Sequence, residues 1–282
     1  SKKEAAFFNA VLRKLENIKL NLPEDDSSLS LSIKYSFPKF FIEKLIDQYK
    51  IETAKDLLQA LSFFPKPQLR YRKNDKDLQM KKVYSGKFSI YQIDENQDFS
   101  KLINSSDCYI QNASSYFLLE KLYQSLEKPP LSILDLCASP GGKSLAIHDL
   151  CQGAKLSVND ISSKKIDKIK ENFKKYNISA EYNISDAREF NNKELYDLII
   201  VDVPCSNSGV FHKRANARWR INPENLKKLQ NLQFEILKNA KNLLKEDGSI
   251  FYMTCSILED ENEKMIELVK NIGLECVFLQ KV

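Results

Sequence analysis

Leu134-Asp135-Leu136-Cys137-Ala138-Ser139-Pro140-Gly141-Gly142-Lys143-Ser144 is the stretch that decides the fold. A short apolar run at 133–137 leads into paired glycines, and an amphipathic run at 143–151 follows. The pattern predicts a strand, a tight turn and a helix. Gly141 and Gly142 let backbone approach a ligand closely, and the amides of a helix start favour negative charge. The turn matches neither GxGxxG nor GxxxxGK[ST]. Lys143-Ser144 imitates the end of a P-loop, but the first glycine of that loop is missing. A dehydrogenase-type dinucleotide fold and a P-loop nucleotidase are both disfavoured.

Outward from this turn the alternation continues. Strands are expected at 156–160, 180–184, 195–202 and 249–255, with a last one at 276–279. Helices are expected at 164–176, 225–244 and 261–272, and one at 115–126 is stopped by Pro129-Pro130. Alternating buried strands and helices predict an α/β fold, a mostly parallel sheet covered on both faces. Ligands of such sheets bind beyond the carboxyl ends of the strands. The second strand ends in Asp160, the third is followed by Asp186, and the fourth ends in Asp202. Singly, Gly-Gly is a tight turn and a strand-end Asp a helix cap. Jointly, at four successive strand ends, they suit an adenosine-containing cofactor, with Asp160 placed for the ribose hydroxyls.

The upstream chain reads differently. Phe7, Phe8, Val11, Leu12, Leu15 and Ile18 recur at helical spacing, and Pro23 with the polar run 24–28 ends that helix. Phe40, Phe41, Leu45 and Ile46 mark a second helix and 54–61 a third. Pro65 and Pro67 make a boundary. Short β-like pieces at 69–71, 87–91 and 109–111 predict a small α+β module. The expected domains are an N-terminal helical region at 1–64, an RNA-contacting module at 65–112 and a catalytic domain at 113–282.

A chain of 282 residues, 43% hydrophobic, suits one catalytic domain with an appendage. Its net charge of +5 permits a nucleic-acid partner without demanding one. The six cysteines form no CxxC clip and there are only two histidines, so no metal site is expected. Scattered cysteines, no visible targeting segment and no long apolar run lead to the expectation of a reduced, cytoplasmic, monomeric protein away from membranes.

Two cysteines stand out. Cys205 follows the fourth strand in Asp202-Val203-Pro204-Cys205-Ser206, and Cys255 ends the fifth in Thr254-Cys255-Ser256. Neighbouring strands lie about 5 Å apart, so both thiols would face one cleft. The bland reading of each is an inert core thiol. Strand-end position before a polar loop favours the reactive one. Cys108, Cys151 and Cys276 are read as structural. A thiol suits one chemistry well. Carbon five of a pyrimidine is a poor nucleophile until a thiolate adds at carbon six. The residues alone do not rank Cys255 over Cys205.

The stretch 211–220 holds the only tryptophan. Lys213, Arg214, Arg218 and Trp219 combine charge for phosphates with a ring for stacking, which suits RNA. The alternative is a solvated loop anchored by Trp219. Lys164, Lys165, Lys168, Lys170, Lys174 and Lys175 read as a solvated helix face.

The motifs 135–143, 202–206 and 254–256, the last followed by Glu259 to Glu263, closely resemble the RNA cytosine-5 methyltransferases of the Sun type. Within that family they look most like the bacterial ribosomal RNA small-subunit methyltransferase B group. The segments 8–13, 32–36 and 110–115 resemble it too. The resemblance implies a class I (Rossmann-like) methyltransferase domain that uses S-adenosylmethionine on carbon five of a cytosine in small-subunit ribosomal RNA. It implies Cys255 as nucleophile and Cys205 in product release. It implies cofactor contacts from Cys137, Ala138, Ser139, Pro140, Gly141, Gly142 and Lys143, with Asp160, Asp186 and Asp202. The sequence departs from the family in three places. Only the apparent last helix of the N-terminal NusB-like domain is recognisable, around 7–15. One strand rather than a hairpin is expected after Ile272. The 213–219 loop lacks the usual Asn-Pro-Asp-type spacing. Two readings compete: an amino-group methyltransferase, which usually has an Asn/Asp-Pro-Pro-aromatic loop, and a non-catalytic RNA-binding ribosome-assembly protein on the same fold.

Overall fold

The computed structural model describes residues 2–15, 18, 21–73, 78–95 and 97–280. They form two compact units, Ser1–Ser62 and Phe63–Val282. The first unit is helical: α1 (Lys2–Leu15), α2 (Ser28–Tyr35) and α3 (Lys39–Ala60). Residues 16 and 17 of the expected first helix lie outside the described residues, and Ile18 lies beyond its end. The apolar stripe of α1 is exposed, Phe7 and Phe8 included. The two helices expected next are the halves of α3, which breaks at Lys50 (φ 62°, ψ 165°). Helix α2 was not expected. It is capped by the Ser27 hydroxyl, which accepts from the Ser30 amide, and stopped by Ser36 in the left-handed region. Leu31, Phe37, Phe41, Ile42, Leu45, Ala54 and Leu58 are fully buried and form the core of this unit.

The second unit carries two sheets. The smaller has β1 (Gln68–Tyr71), β2 (Lys82–Ser85), β3 (Ser89–Gln92) and β4 (Cys108–Ile110) in the antiparallel order β2-β3-β1-β4, with α4 (Phe99–Asn104) before its last strand. After α5 (Ala113–Gln124) come β5 (Ser132–Asp135), α6 (Gly142–Leu150), β6 (Lys155–Asp160), α7 (Ser163–Tyr176), β7 (Glu181–Ile184) and β8 (Tyr196–Asp202). Then follow α8 (Ala215–Arg218), α9 (Pro223–Asn242), β9 (Leu244–Met253) and α10 (Glu263–Lys270). These five strands are all parallel, ordered β7-β6-β5-β8-β9. This is the expected α/β, Rossmann-like methyltransferase sheet, preceded by an α+β module and N-terminal helices.

Alternation along each strand explains the two-sided burial. Ile133, Val158, Leu198, Ile200 and Phe251 join a core with residues of α5, α6 and α7. Leu134, Ile199 and Val201 join the opposite core with Ile236, Leu237, Ala240 and Met265 of α9 and α10. Successive side chains point to opposite faces, so both faces of a central strand are apolar. Lys164, Lys165, Lys168, Lys170 and Lys174 of α7 are exposed beside its buried Ile166, Ile169 and Phe173, as a solvated face should be, but Lys175 is half-buried and donates to the Tyr176 hydroxyl at 2.8 Å.

Two expectations fail at the carboxyl end. Residues 276–279 are not a strand, because they pair with no neighbour among the described residues and a lone strand leaves its amides and carbonyls unpaired. Cys276, read as structural, is exposed. No described helix is long and apolar enough to cross a membrane.

A buried charge cluster ties the small sheet to α6. Arg70 on β1 is fully buried, with Nη1 2.7 Å from Asp149 Oδ2. Arg72 donates Nε and Nη2 to the same carboxylate at 2.8 and 2.7 Å. Arg70 lies between the rings of Phe88 and Tyr116, at 5.5 and 5.2 Å. Its Nε donates to Gln111 Oε1 at 2.7 Å, and Gln111 Nε2 reaches the Gly142 carbonyl at 3.3 Å. The small sheet thereby braces the glycine turn. Burial alone would raise the Asp149 carboxyl, but the hydrogen bonds from Arg72 and His148 and the charge of Arg70 hold it well below the usual carboxylate range. Removing one partner of a buried pair strands the other charge, at a cost of about 3–5 kcal/mol. Asp149→Ala is therefore expected to lower the unfolding free energy by about 3–5 kcal/mol in urea titrations. A loss of about 0.5 kcal/mol or less, the size expected of an ordinary surface change, would contradict this role.

Candidate active site

The site lies where the strand order reverses, at the carboxyl ends of β5 and β8. β5 runs into the glycine turn. Gly141 has φ +95°, a left-handed conformation that a side chain resists, and a Cβ there would press on Phe173 at 3.2 Å. Helix α6 starts at Gly142, its amides turned to the crevice side of the turn. Asp135 is fully buried and takes the Ser144 hydroxyl at 2.5 Å on one oxygen. Its Oδ1 has no hydrogen-bond partner. Burial pushes this carboxyl up to about 7. Burial, with neighbouring acids, also pushes the Cys137 thiol far up, so Cys137 is no nucleophile.

The strand-end aspartates are placed as expected, each with a partner. Asp160, at the end of β6, is buried and accepts from the Ser162 amide at 3.1 Å, with Lys165 Nζ 3.3 Å away. Asp186 is held by Arg188, which donates Nε and Nη2 at 3.0 and 2.6 Å. Asp202, at the end of β8, accepts from Lys143 Nζ at 2.5 Å. Burial alone would lower the Lys143 ammonium; the charges of Asp202 and Cys255 outweigh it and hold it above its ordinary value. The cofactor of the family is S-adenosylmethionine. The turn suits it: bare backbone at Gly141, a helix start, and carboxylates at four strand ends, one with an orphaned buried oxygen.

Cys205 and Cys255 meet. β8 and β9 pair in register to Asp202 opposite Met253, so each thiol lies just beyond a neighbouring strand end. The Cys255 amide donates to Cys205 Sγ at 3.3 Å. Gly209, in a 3₁₀ turn at Ser208–Val210, donates to the Cys255 carbonyl at 2.9 Å. A Cβ on Gly209 would stand 3.2 Å from that carbonyl oxygen, so the two loops touch because this residue has none. The hydrogen bond from Cys205 and the charge of Lys143, against burial, lower the Cys255 thiol below its ordinary value. The same hydrogen bond and burial raise Cys205.

A polar network behind the thiols escaped sequence reasoning. Ser206 gives both its amide (2.8 Å) and its hydroxyl to the buried Glu261 carboxylate. Gln233 of α9 donates to Glu261 at 2.9 Å and to the Pro204 carbonyl at 3.0 Å. Asn262 accepts from Thr254 at 2.8 Å and donates to the Ser256 carbonyl at 3.0 Å. Ser208 and Ser256 share a hydrogen bond of 2.9 Å. The signal for this network was the acidic run after Cys255, noted as a motif without a role.

Of the expected RNA contacts, Lys213, Arg214 and Trp219 are exposed and Arg218 is half-buried, in and around α8. Trp219 is 63% exposed, so it does not anchor the loop. Lys213 donates to Asn112 at 2.7 Å.

Ribosomal RNA small subunit methyltransferase B of Photorhabdus laumondii is 37% identical over 137 residues, covering 48% of this chain and 32% of its own length. Its counterpart in Klebsiella pneumoniae is 35% identical over the same length. The match thus spans about a third of each relative. Among solved structures, a methyltransferase homolog protein from Pyrococcus horikoshii has a TM-score of 0.75 at 22% identity, covering 88% of this chain and 83% of that one. NSun6 from Pyrococcus horikoshii, solved with SFG, has a TM-score of 0.71 at 14% identity, covering 88% and 91%. Identities this low establish the fold alone. The family model described as 16S rRNA methyltransferase RsmB/F matches residues 125–272, just over half of the chain and the whole of the parallel sheet. With these motifs at these strand ends, the chain belongs to the RsmB/F methyltransferase family.

Proposed function

We propose that the protein transfers a methyl group from S-adenosylmethionine to carbon five of a cytosine in small-subunit ribosomal RNA, with Cys255 as nucleophile. The observation that carries this reading is the meeting of two cysteines at neighbouring strand ends, the amide of one on the sulfur of the other at 3.3 Å, beside the Lys143–Asp202 pair. An amino-group transfer has no use for such a pair. The ribosomal substrate is suggested by the names of the relatives.

The residues take these roles. The glycine turn from Cys137 to Lys143 holds the donor, with Asp160 at the ribose, Asp186 toward the base and Asp202 near the reacting end. The donor supplies an electrophilic methyl sulfonium. Cys255 forms the bond to carbon six, the C5=C6 electron pair becomes available at carbon five, and carbon five takes the methyl carbon as the bond from that carbon to the sulfonium sulfur breaks, its pair left on the sulfur of a neutral thioether product. Carbon five then loses its proton to water, the C5=C6 bond re-forms, and the bond to Cys255 breaks with its pair returning to sulfur. Cys205, whose sulfur accepts the Cys255 amide at 3.3 Å, stands beside the departing thiolate and so assists release. Lys143 stabilises charge on Cys255 before attack and after release. Both faces of the target ring must be open, so the cytosine is unpaired or flipped out of its stack. Lys213, Arg214, Arg218 and Trp219 are placed to contact the neighbouring phosphates and bases. The small sheet at 65–112 extends that contact in this reading.

Three outcomes test the reading. Cys205→Ala incubated with small-subunit ribosomal RNA and S-adenosylmethionine is expected to give a denaturation-resistant protein–RNA band, absent from Cys205→Ala/Cys255→Ala. A band in both would remove Cys255 from its role. Asp160→Ala is expected to weaken S-adenosylmethionine binding on the order of tenfold in calorimetry, the loss of about one charge-assisted hydrogen-bonding group. Unchanged affinity would move the ribose site elsewhere. Single-turnover methyl transfer is expected to be half-maximal at a pH below the ordinary thiol range, because Cys255 must lose its proton first. Transfer that declines as pH rises through that range would contradict a thiolate nucleophile.

A further inference from the structure

Glu261 is a carboxylate with no exposed surface, and the chemistry above does not use it. It sits immediately behind the Cys205 loop. Its Oε1 accepts from the Ser206 amide at 2.8 Å and from Gln233 Nε2 at 2.9 Å, while its Oε2 takes the Ser206 hydroxyl. Its own carbonyl accepts from Tyr252 at 2.8 Å, which fixes the turn that carries it to β9. Three donors meet this one carboxyl group, and burying a charge is costly unless it is paired and hydrogen-bonded.

The placement of charge around the two thiols is lopsided. Facing Cys255 are Lys143 from the start of α6, Asp202 from β8, Lys213 and Arg214 from the loop before α8, and Cys205. Facing Cys205 are Cys255, Glu261 and Tyr252 from β9. Facing Glu261 are Ser206, Gln233 from α9, Tyr252 from β9 and Cys205. Three cations and one carboxylate, Asp202, itself paired with Lys143, therefore stand on the Cys255 side, and a buried carboxylate with no cation beside it among the described residues stands on the Cys205 side. A negative charge disfavours a second one nearby.

We infer that Glu261 is a positioning residue whose buried negative charge keeps the proton on Cys205, so that Cys255 carries the thiolate and Cys205 remains the hydrogen-bond donor to it. The inference rests on the cytosine-5 reading for its catalytic use alone; the proton distribution belongs to the RNA-free protein. It explains why two thiols in contact take unlike roles. Lys143 draws charge to Cys255, and Glu261 repels it from Cys205. Asn262, next in the chain, holds Thr254 and the Ser256 carbonyl on either side of Cys255. One short turn thus serves both thiols, one by charge and the other by geometry.

The test is alkylation of the RNA-free full chain by iodoacetamide across a pH series, with each cysteine peptide quantified by mass spectrometry. In the wild type, Cys255 is expected to react at lower pH than Cys205. In Glu261→Gln the Cys205 to Cys255 ratio at neutral pH is expected to rise on the order of tenfold, the equivalent of about one pKa unit between them. Gln233→Met, which removes a neutral partner of the same loop and leaves the charge, is expected to keep the ratio within about twofold and so separates charge from loop integrity. An unchanged ratio in Glu261→Gln overturns the inference, as does an equal rise in both variants. Should Glu261→Gln lose its cooperative melt, the wild-type series still decides against the inference if Cys205 titrates with or before Cys255. Because no RNA or donor is present, failure here leaves the methyl-transfer reading intact, and failure of that reading leaves the alkylation order to stand.

Discussion

The parallel pairing of β8 with β9 is the constraint on which the site depends. Its register runs to Asp202 opposite Met253, and the two chains leave the sheet side by side. Cys205 comes three residues beyond one strand end and Cys255 two beyond the other, so the backbone alone carries the thiols to one place. The amide of one then donates to the sulfur of the other at 3.3 Å. A slip of one residue in this pairing would turn each strand's buried side chains to the opposite face. The two apolar cores on either side of the sheet therefore hold the chemistry in register as firmly as they hold the fold.

Electrostatics does the rest, and its strength comes from burial. Two thiols in water would differ little. Here one stands by an ammonium that is itself gripped by Asp202 at 2.5 Å, and the other by a carboxylate with no exposed surface. A hydrogen bond to a charged group contributes about 1.5–3 kcal/mol, against roughly 1 kcal/mol for a neutral pair. The charged contacts are accordingly the stronger ones around the two thiols, and the serine hydroxyls around Ser208 and Ser256 link the loops that carry them. The glycine turn is braced from outside in the same way, through Gln111 and the buried Arg70–Asp149 pair.

Much of the sheet was legible because its strands obey a simple rule: apolar on both faces, ended by a glycine turn or an aspartate. The positions of Asp160, Asp202, Cys205 and Cys255 followed from that rule. The elements that sequence reasoning missed break it. Ser28-Leu29-Ser30-Leu31-Ser32-Ile33 alternates with a strand's period yet forms α2, because the Ser27 cap and packing on α3 override local pattern. Residues 276–279 have a strand's composition but no partner to pair with. Glu261 belonged to a motif with no role assigned, and only the folded chain brings Ser206 and Gln233 to it across 55 and 28 residues. Long-range satisfaction of buried polar groups leaves no local periodic trace, which is why the network was invisible while its motif was not.

The central claim is that this site methylates carbon five of cytosine through Cys255. The most direct measurement is nucleoside mass spectrometry of small-subunit ribosomal RNA after incubation with the protein and S-adenosylmethionine bearing an isotopically labelled methyl group. The account predicts label in 5-methylcytidine with the wild type and none with Cys255→Ala. Label in an amino-methylated nucleoside, or undiminished label in 5-methylcytidine with Cys255→Ala, would contradict it.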